Sequence, residues 1–245
     1  MISAGPPPST PVPTAPAAIV ATLRETQRAL DRAIDHWDAR TPPPHDVTLL
    51  ALYEQRTIRF VARDAGRARR VLVLAPSLRD DVEARRDLVR LAAQSPATHG
   101  SARIGPAPRA ARLLAWYREA QRRFHVRWQL LAAVNFVESA FGRVRNASGA
   151  GAQGPMQFVP ATWRAYGLGG DVHDPHDAIL GAANYLAANG GAHDERRALL
   201  HYNPSRLYVD AIVRYARRIA RDRHAFLGYY AWQVYFHARR VTGPR

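Results

Sequence analysis

The sequence predicts an all-α fold. Apolar residues recur at three- and four-residue spacing through most of the chain. Asp and Pro stand where those stretches begin and Gly or Asn where they end. No run alternates apolar and polar residues for long enough to make a useful strand, and no internal repeat is visible.

The elements follow in order. Met1–Pro16 carries six prolines and reads as a disordered or polyproline-like lead-in. From Ala17 to about Asp38, Ile19, Leu23, Leu30 and Ile34 form the apolar face of a helix, broken by Thr41 to His45. Asp46 is placed to cap a second helix, whose face includes Leu49, Leu50, Leu52, Tyr53, Ile58 and Val61. Val71–Leu74 reads as a helix end, or as a short strand that lacks a nearby partner. Ser77 followed by Asp80, Asp81 and Glu83 reads as a capped helix start. Residues 17–96 are thus an N-terminal helical hairpin or three-helix unit, and 97–108, rich in Ser, Gly and Pro, a linker.

The second region spans 109–245. Arg109–Phe124 is an amphipathic helix and Arg127–Phe141 a nearly continuous apolar one. A small-residue loop, Ser148–Pro155, precedes a short helix at Pro160–Tyr166. Asp174-Pro175 opens a helix that Asn189-Gly190-Gly191 closes, and helices at 194–201 and 205–223 follow. The aromatic stretch 224–238 reads as a last helix that closes the core, because so much exposed aromatic surface would aggregate.

Composition removes several function classes. Without cysteine there is no disulfide framework, no thiolate zinc site and no cysteine nucleophile. No segment approaches the roughly 18 uninterrupted apolar residues of a membrane span. Met1–Pro16 has neither a basic nor an apolar signal region, so no secretory signal is visible there. The net charge of +15 is carried by arginine alone, which reflects biased codon usage in part. It is uneven: residues 1–100 are net +3 and residues 101–245 net +12. That invites a polyanionic partner, yet no nucleic-acid-binding pattern is present, so no specific nucleic-acid partner is expected. Arg206, Arg214, Arg217, Arg218, Arg221 and Arg223 read as the solvent face of a basic helix before a binding stripe.

Glu138 is the position that carries chemistry. It is the only acid between Glu119 and Asp171 and stands at the C-terminal end of a very apolar helix. Desolvation and the negative end of the helix dipole both raise a carboxylate's pKa, which keeps a proton available near neutrality. A general acid for glycosidic cleavage needs that property. Isolated amides in apolar segments, Gln157 and Asn203, need polar partners. Trp163, Tyr166, Tyr185 and Tyr202 could serve as sugar platforms, although each taken singly is a core residue first. Asp174 reads as a helix cap and Asp177 as a first-turn acid; with His173 and His176 they match no metal-ligand spacing. No metal and no cofactor is expected.

Glu138-Ser139, Gly154-Pro155-Met156-Gln157-Phe158, Pro160-Ala161-Thr162-Trp163, Ala182–Leu186 and Tyr202-Asn203 occur in one order. This set resembles the catalytic domain of the soluble lytic transglycosylases, within the goose-type lysozyme-like superfamily, over about residues 110–222. Pro155 stands where that family usually has Leu, and His201 where it usually has Ala. The resemblance implies a lysozyme-like fold for 109–245. It implies Glu138 as catalytic acid, with Ser139, Gly154, Met156, Gln157, Phe158, Tyr202 and Asn203 at the substrate. Ser139 would orient Glu138 or the substrate N-acetyl group, or make only a local backbone bond.

The implied reaction is non-hydrolytic cleavage of the MurNAc–GlcNAc β-1,4 bond of peptidoglycan to a 1,6-anhydromuramoyl product. Peptidoglycan strands would be the partner, and wall polymers a reason for the positive charge. A monomer exported to the cell envelope is expected, with an envelope protein as a possible partner of the N-terminal helices. The alternatives are a hydrolytic muramidase and a non-catalytic wall-binding protein that keeps the fold.

Overall fold

The computed structural model describes residues 5–94, 101–236 and 239–244. Residues 1–4 of the lead-in, 97–100 of the linker and 237–238 of the aromatic stretch lie outside the described residues. The N-terminal region forms four helices rather than the expected hairpin or three-helix unit, because Asp64 caps a new helix after Arg63: α1 (Pro16–Asp35), α2 (His45–Ala62), α3 (Ala65–Leu74) and α4 (Arg79–Gln94). The second region forms α5 (Ala110–Phe124), α6 (Trp128–Ser139), α7 (Pro160–Tyr166), α8 (Pro175–Ala188), α9 (Glu195–Tyr202), α10 (Arg206–Arg221) and α11 (Ala225–Ala231). The fold is all-α and lysozyme-like; among the described residues the only sheet is a hairpin of two-residue strands, β1 (Tyr235–Phe236) and β2 (Arg239–Arg240).

Local signals set most boundaries. Asp174 accepts from the backbone N–H groups of His176 and Asp177, and Pro175 follows at the first helical position of α8. Asp194 caps α9 and Asp64 caps α3 in the same way. Val71–Leu74 is the end of α3, as its lack of a strand partner predicts. Asp46 is not the cap of α2, which begins one residue earlier, and Ser77 lies inside a 3₁₀ turn (Pro76–Leu78) that leads into α4.

Three stretches differ from the sequence reading. The lead-in, expected to be disordered or polyproline-like, is ordered and laid across α2 from Gly5 onward: Tyr53 donates its hydroxyl proton to Pro11 O at 2.9 Å, and Arg56 Nη1 donates to Pro8 O at 2.5 Å. Residues 101–105 of the linker pair with the segment after α6, through Gly105 N–H to Arg143 O (2.9 Å) and Arg145 N–H to Arg103 O (2.8 Å). The aromatic helix stops at Ala231 instead of running to 238, and Trp232 turns extended. Gln55 of α2 takes over there, donating to Gln233 O at 2.8 Å and accepting from Gln233 N–H at 2.9 Å. A side-chain amide thus supplies the backbone pairing that a further helical turn would have used. The aromatic stretch is nonetheless core: Phe226, Tyr229, Tyr230 and Trp232 are all buried.

The two regions share one apolar core, with α4 packed along α10 and both α1 and α2 against α11. Arg206, Arg217, Arg221 and Arg223 are exposed, as the reading of a solvent face expects, but Arg214 and Arg218 are partly enclosed and the α4–α10 seam pairs most of these arginines. Arg217 Nη2 donates to Asp80 Oδ1 at 2.7 Å, Arg218 Nε lies 3.3 Å from Asp81 Oδ2, and Arg214 pairs with Asp87. Arg223 reaches Asp35 of α1 at 2.8 Å. Much of this helix's positive charge is therefore met by the chain's own N-terminal carboxylates.

Beside the seam, Glu54 of α2 is buried and accepts from Gln27 Nε2 (3.0 Å) and Trp232 Nε1 (3.2 Å). Burial, aided by the charge of Asp81, pushes its pKa up to about 7. A carboxyl raised in the folded state stabilises fully below its unfolded pKa and loses that contribution as pH rises through the folded one. Glu54→Gln, with the Gln27 amide turned to accept, is therefore expected to melt higher than wild type at pH 8. The gain should be of order 1 kcal/mol, or about 2–4 °C, and should vanish below about pH 4. Thermal melts at the two pH values check this; equal shifts at both would refute it.

Candidate active site

α6 can be apolar on nearly every side because α5, α8, α10 and α11 all pack on it. Leu130 through Val134 are fully buried. The helix ends abruptly after Ser139, where Ala140 (φ 51°) and Phe141 (φ 64°) both take left-handed backbone. Each such non-glycine residue costs roughly 1–2 kcal/mol. The Phe141 ring offsets this by packing in the core, stacked on Phe136 at 5.4 Å and edge-on to Phe226 at 5.7 Å. Phe136 in turn stacks on Tyr229 of α11 at 5.2 Å. The end of α6, and Glu138 with it, is thus held by rings from distant parts of the chain.

Glu138 is half-buried and lines a cavity of about 170 Å³ with Gln55, Arg59, Arg85, Val137 and Tyr215. It is the only carboxylate in that lining among the described residues. Tyr208 of α10, itself buried, donates its hydroxyl proton to Glu138 Oε1 at 2.5 Å. Burial pushes the Glu138 pKa up to about 7, against the Tyr208 hydrogen bond, which favours the ionised form. The carboxyl can therefore give up or take a proton near neutral pH.

The Gly154–Phe158 loop is anchored from two sides. The Pro155 carbonyl accepts from Ser139 Oγ (2.5 Å) and from Asn135 Nδ2 (2.8 Å), both on α6. The Met156 carbonyl accepts from the Tyr202 hydroxyl at 2.5 Å, on α9. Gln153 and Phe158 exchange backbone hydrogen bonds across the turn, both at 2.9 Å. Gly154 sits at φ +73°, and a Cβ there would lie 1.9 Å from the Val172 carbonyl oxygen, so only glycine fits.

This geometry divides the residues expected at the substrate. Gln157, Phe158 and Tyr202 come together around a second cavity of about 130 Å³, with Tyr185 and His201. Tyr202 lines only this second cavity, but burial first and then the Glu138 charge hold its hydroxyl well above the usual phenol range. Gln157 Nε2 is turned inward onto Gly154 O (3.0 Å) and Asn146 O (3.3 Å). The Met156 side chain is fully buried and is no groove wall. Ser139 is buried as well, its hydroxyl given to Pro155 O and accepting from Gly142 N–H at 2.8 Å, so it braces the loop. Gly154 lines a third cavity of about 670 Å³ with Arg103, Arg112, Trp116 and Arg145. Asn203 caps α9 and accepts from Ser205 N–H at 3.2 Å.

The family model described as transglycosylase SLT domain matches residues 116–223. That stretch is a transglycosylase SLT domain. The comparisons with curated proteins and with solved structures gave no match. The SLT domain holds α6–α10 and the second half of α5; α1–α4 and α11 lie outside it. Its family cleaves glycosidic bonds of peptidoglycan in the lytic-transglycosylase manner, and that substrate implies extracytoplasmic action. None of the described helices is long and apolar enough to cross a membrane.

Sequence reasoning missed three residues at the Glu138 site of the SLT domain. Tyr208 looked like any apolar-face residue of α10, and only its five-residue distance from Asn203 hinted at more. Arg59 and Arg85 lie outside the SLT domain, on α2 and α4, and no local signal marks them. Asp31, Asp222 and His224 bring one ligand atom each within 4.8 Å of one another, away from Glu138. Their nitrogen and oxygen atoms already contact one another, and His224 Nε2 shares a hydrogen bond with Asp35 Oδ1 at 2.9 Å, so the cluster is accounted for by these contacts.

Proposed function

We propose that this protein is a peptidoglycan lytic transglycosylase that cleaves the MurNAc–GlcNAc β-1,4 bond with Glu138 as its single acid and base. The observation that carries the reading is the Glu138 carboxyl, alone in its cavity and titrating near 7. Protonated Glu138 gives its proton to the bridging oxygen as the bond to the anomeric carbon breaks. Tyr208 holds Oε1, which leaves Oε2 for the substrate. The substrate's own N-acetyl oxygen assists at the anomeric carbon, so no second carboxylate is needed. The muramoyl 6-hydroxyl then closes onto that carbon and returns its proton to Glu138. One C–O bond breaks, one forms, and no water is consumed.

Gln157 and Tyr202 belong to the sugar-binding groove in this reading, with Phe158 as the floor under Tyr185 and Tyr202. Ser139, Gly154 and Met156 act on the substrate only through the loop that they hold. Mass spectrometry of fragments from purified sacculi tests the outcome. Anhydromuropeptides are expected; reducing-end products would make the protein a hydrolytic muramidase, and no soluble fragments would make it a wall-binding protein.

A further inference from the structure

Arg59 and Arg85 project into the Glu138 cavity from α2 and α4, outside the SLT domain. Among the described residues, neither guanidinium has a hydrogen-bond or ion-pair partner. Arg59 is only 9% exposed, and its one polar contact is a cation–π stack over the Tyr235 ring at 3.7 Å. Burial pushes its pKa down to about 10, with the neighbouring Arg85 charge adding to the effect. Arg85 is lowered as well, by burial first and then by the Arg63 charge.

Two like charges at the edge of a cavity with no counter-ion are costly unless something supplies one. Other enclosed arginines of this chain are satisfied. Arg218 has Asp81 and Asp222, and Arg143 donates to the carbonyls of Ala140 (3.1 Å) and Tyr230 (2.7 Å). Glu138 is not the missing partner: its carboxyl is bonded to Tyr208, and its pKa is raised, whereas an adjacent guanidinium would lower it. The cavity therefore offers a protonatable carboxyl and, apart from it, an unfilled pair of cations.

We infer that Arg59 and Arg85 form a subsite for a carboxylate carried by the substrate strand, so that the N-terminal helices complete the substrate site. The inference rests on the proposed function for the identity of the strand. Paired guanidinium groups suit a carboxylate because their planar N–H forks match its two oxygens. On peptidoglycan, that group is either the free lactyl carboxylate of a muramoyl residue without a peptide or a carboxylate of the stem peptide.

Strand binding to the full chain carrying Glu138→Gln, measured by calorimetry, tests this without turnover. The probes are peptide-bearing strands, strands stripped of peptide by an amidase, and each of these with its carboxylates converted to amides. Amidation is expected to weaken binding by about tenfold or more for the strand that carries the recognised group, which separates the two sources. Adding Arg85→Gln should cause a similar loss on the untreated strand and no further loss on the amidated one. Arg85→Lys should recover part of the affinity.

Equal weakening on charged and amidated strands, or none on either, would overturn the inference. The amidation arm needs no substitution at Arg59 or Arg85, so it decides even if Arg85→Gln misfolds. Charge-dependent binding by a wild-type protein that releases no fragments would instead sink the catalytic reading and leave the subsite standing.

Discussion

Glu138→Gln should lower the turnover of purified sacculi by about 10²–10⁴-fold, the usual contribution of a positioned general acid. The amide keeps the shape of the side chain and can still accept from the Tyr208 hydroxyl, so the fold should survive. The pH profile carries the sharper information. Glu138 must start protonated, and its pKa is about 7, so kcat should fall as pH rises through that value. Above it, the loss should approach tenfold per pH unit. Tyr208→Phe removes the hydrogen bond that favours the ionised carboxyl, so the descending limb should move to higher pH. Initial rates of fragment release between pH 5 and pH 9, with wild type beside both variants, provide the measurement. Activity of Glu138→Gln within a few-fold of wild type would place the chemistry elsewhere. A limb unmoved by Tyr208→Phe would mean that this tyrosine does not govern Glu138.

Asp81→Ala should be among the most damaging single changes to stability outside the apolar core. Asp81 is 2% exposed, accepts from the Tyr229 hydroxyl and faces Arg218 Nε at 3.3 Å. Removing it strands a largely enclosed guanidinium on Asp222 alone and leaves a buried phenol without an acceptor. Breaking a buried pair from one side costs about 3–5 kcal/mol, which for a chain of this length lowers Tm by about 6–20 °C. The exposed pair Arg40–Asp38 is the control, and Arg40→Ala should cost less than about 1 kcal/mol. Calorimetric melts at low and high salt distinguish the two, because a buried pair is little screened. If Asp81→Ala melts with Arg40→Ala, the α4–α10 seam is not what fastens the N-terminal helices.

These two residues also mark how far the sequence reached. Glu138 stood out because its isolation in an apolar helix is a local fact, and desolvation follows from that alone. The starts of α8 and α9 were legible for the same reason, since Asp174 and Asp194 cap groups two and three residues away. Asp81 gave no such sign: its partner Arg218 is 137 residues along the chain, and an acid in a first helical turn is ordinary. The basic helix looked solvated and most of its arginines are exposed, but their pairing with distant carboxylates was not legible. The aromatic stretch looked helical to 238 because its composition does not change at Trp232. What ends α11 is the side chain of Gln55, supplied from 178 residues away.

Ser139 and Met156 show the same division inside the site. Their place in the motif was readable, but whether a side chain meets substrate or holds a loop depends on what covers it. The sequence by itself determined the helices, the family of the SLT domain and the one carboxyl worth testing, because caps, apolar spacing and short motifs act over a few residues. Only the tertiary structure decided which side chains share the Glu138 cavity. Burial, charge pairing and the approach of Arg59 and Arg85 from the N-terminal helices arise when distant segments exclude water from one another.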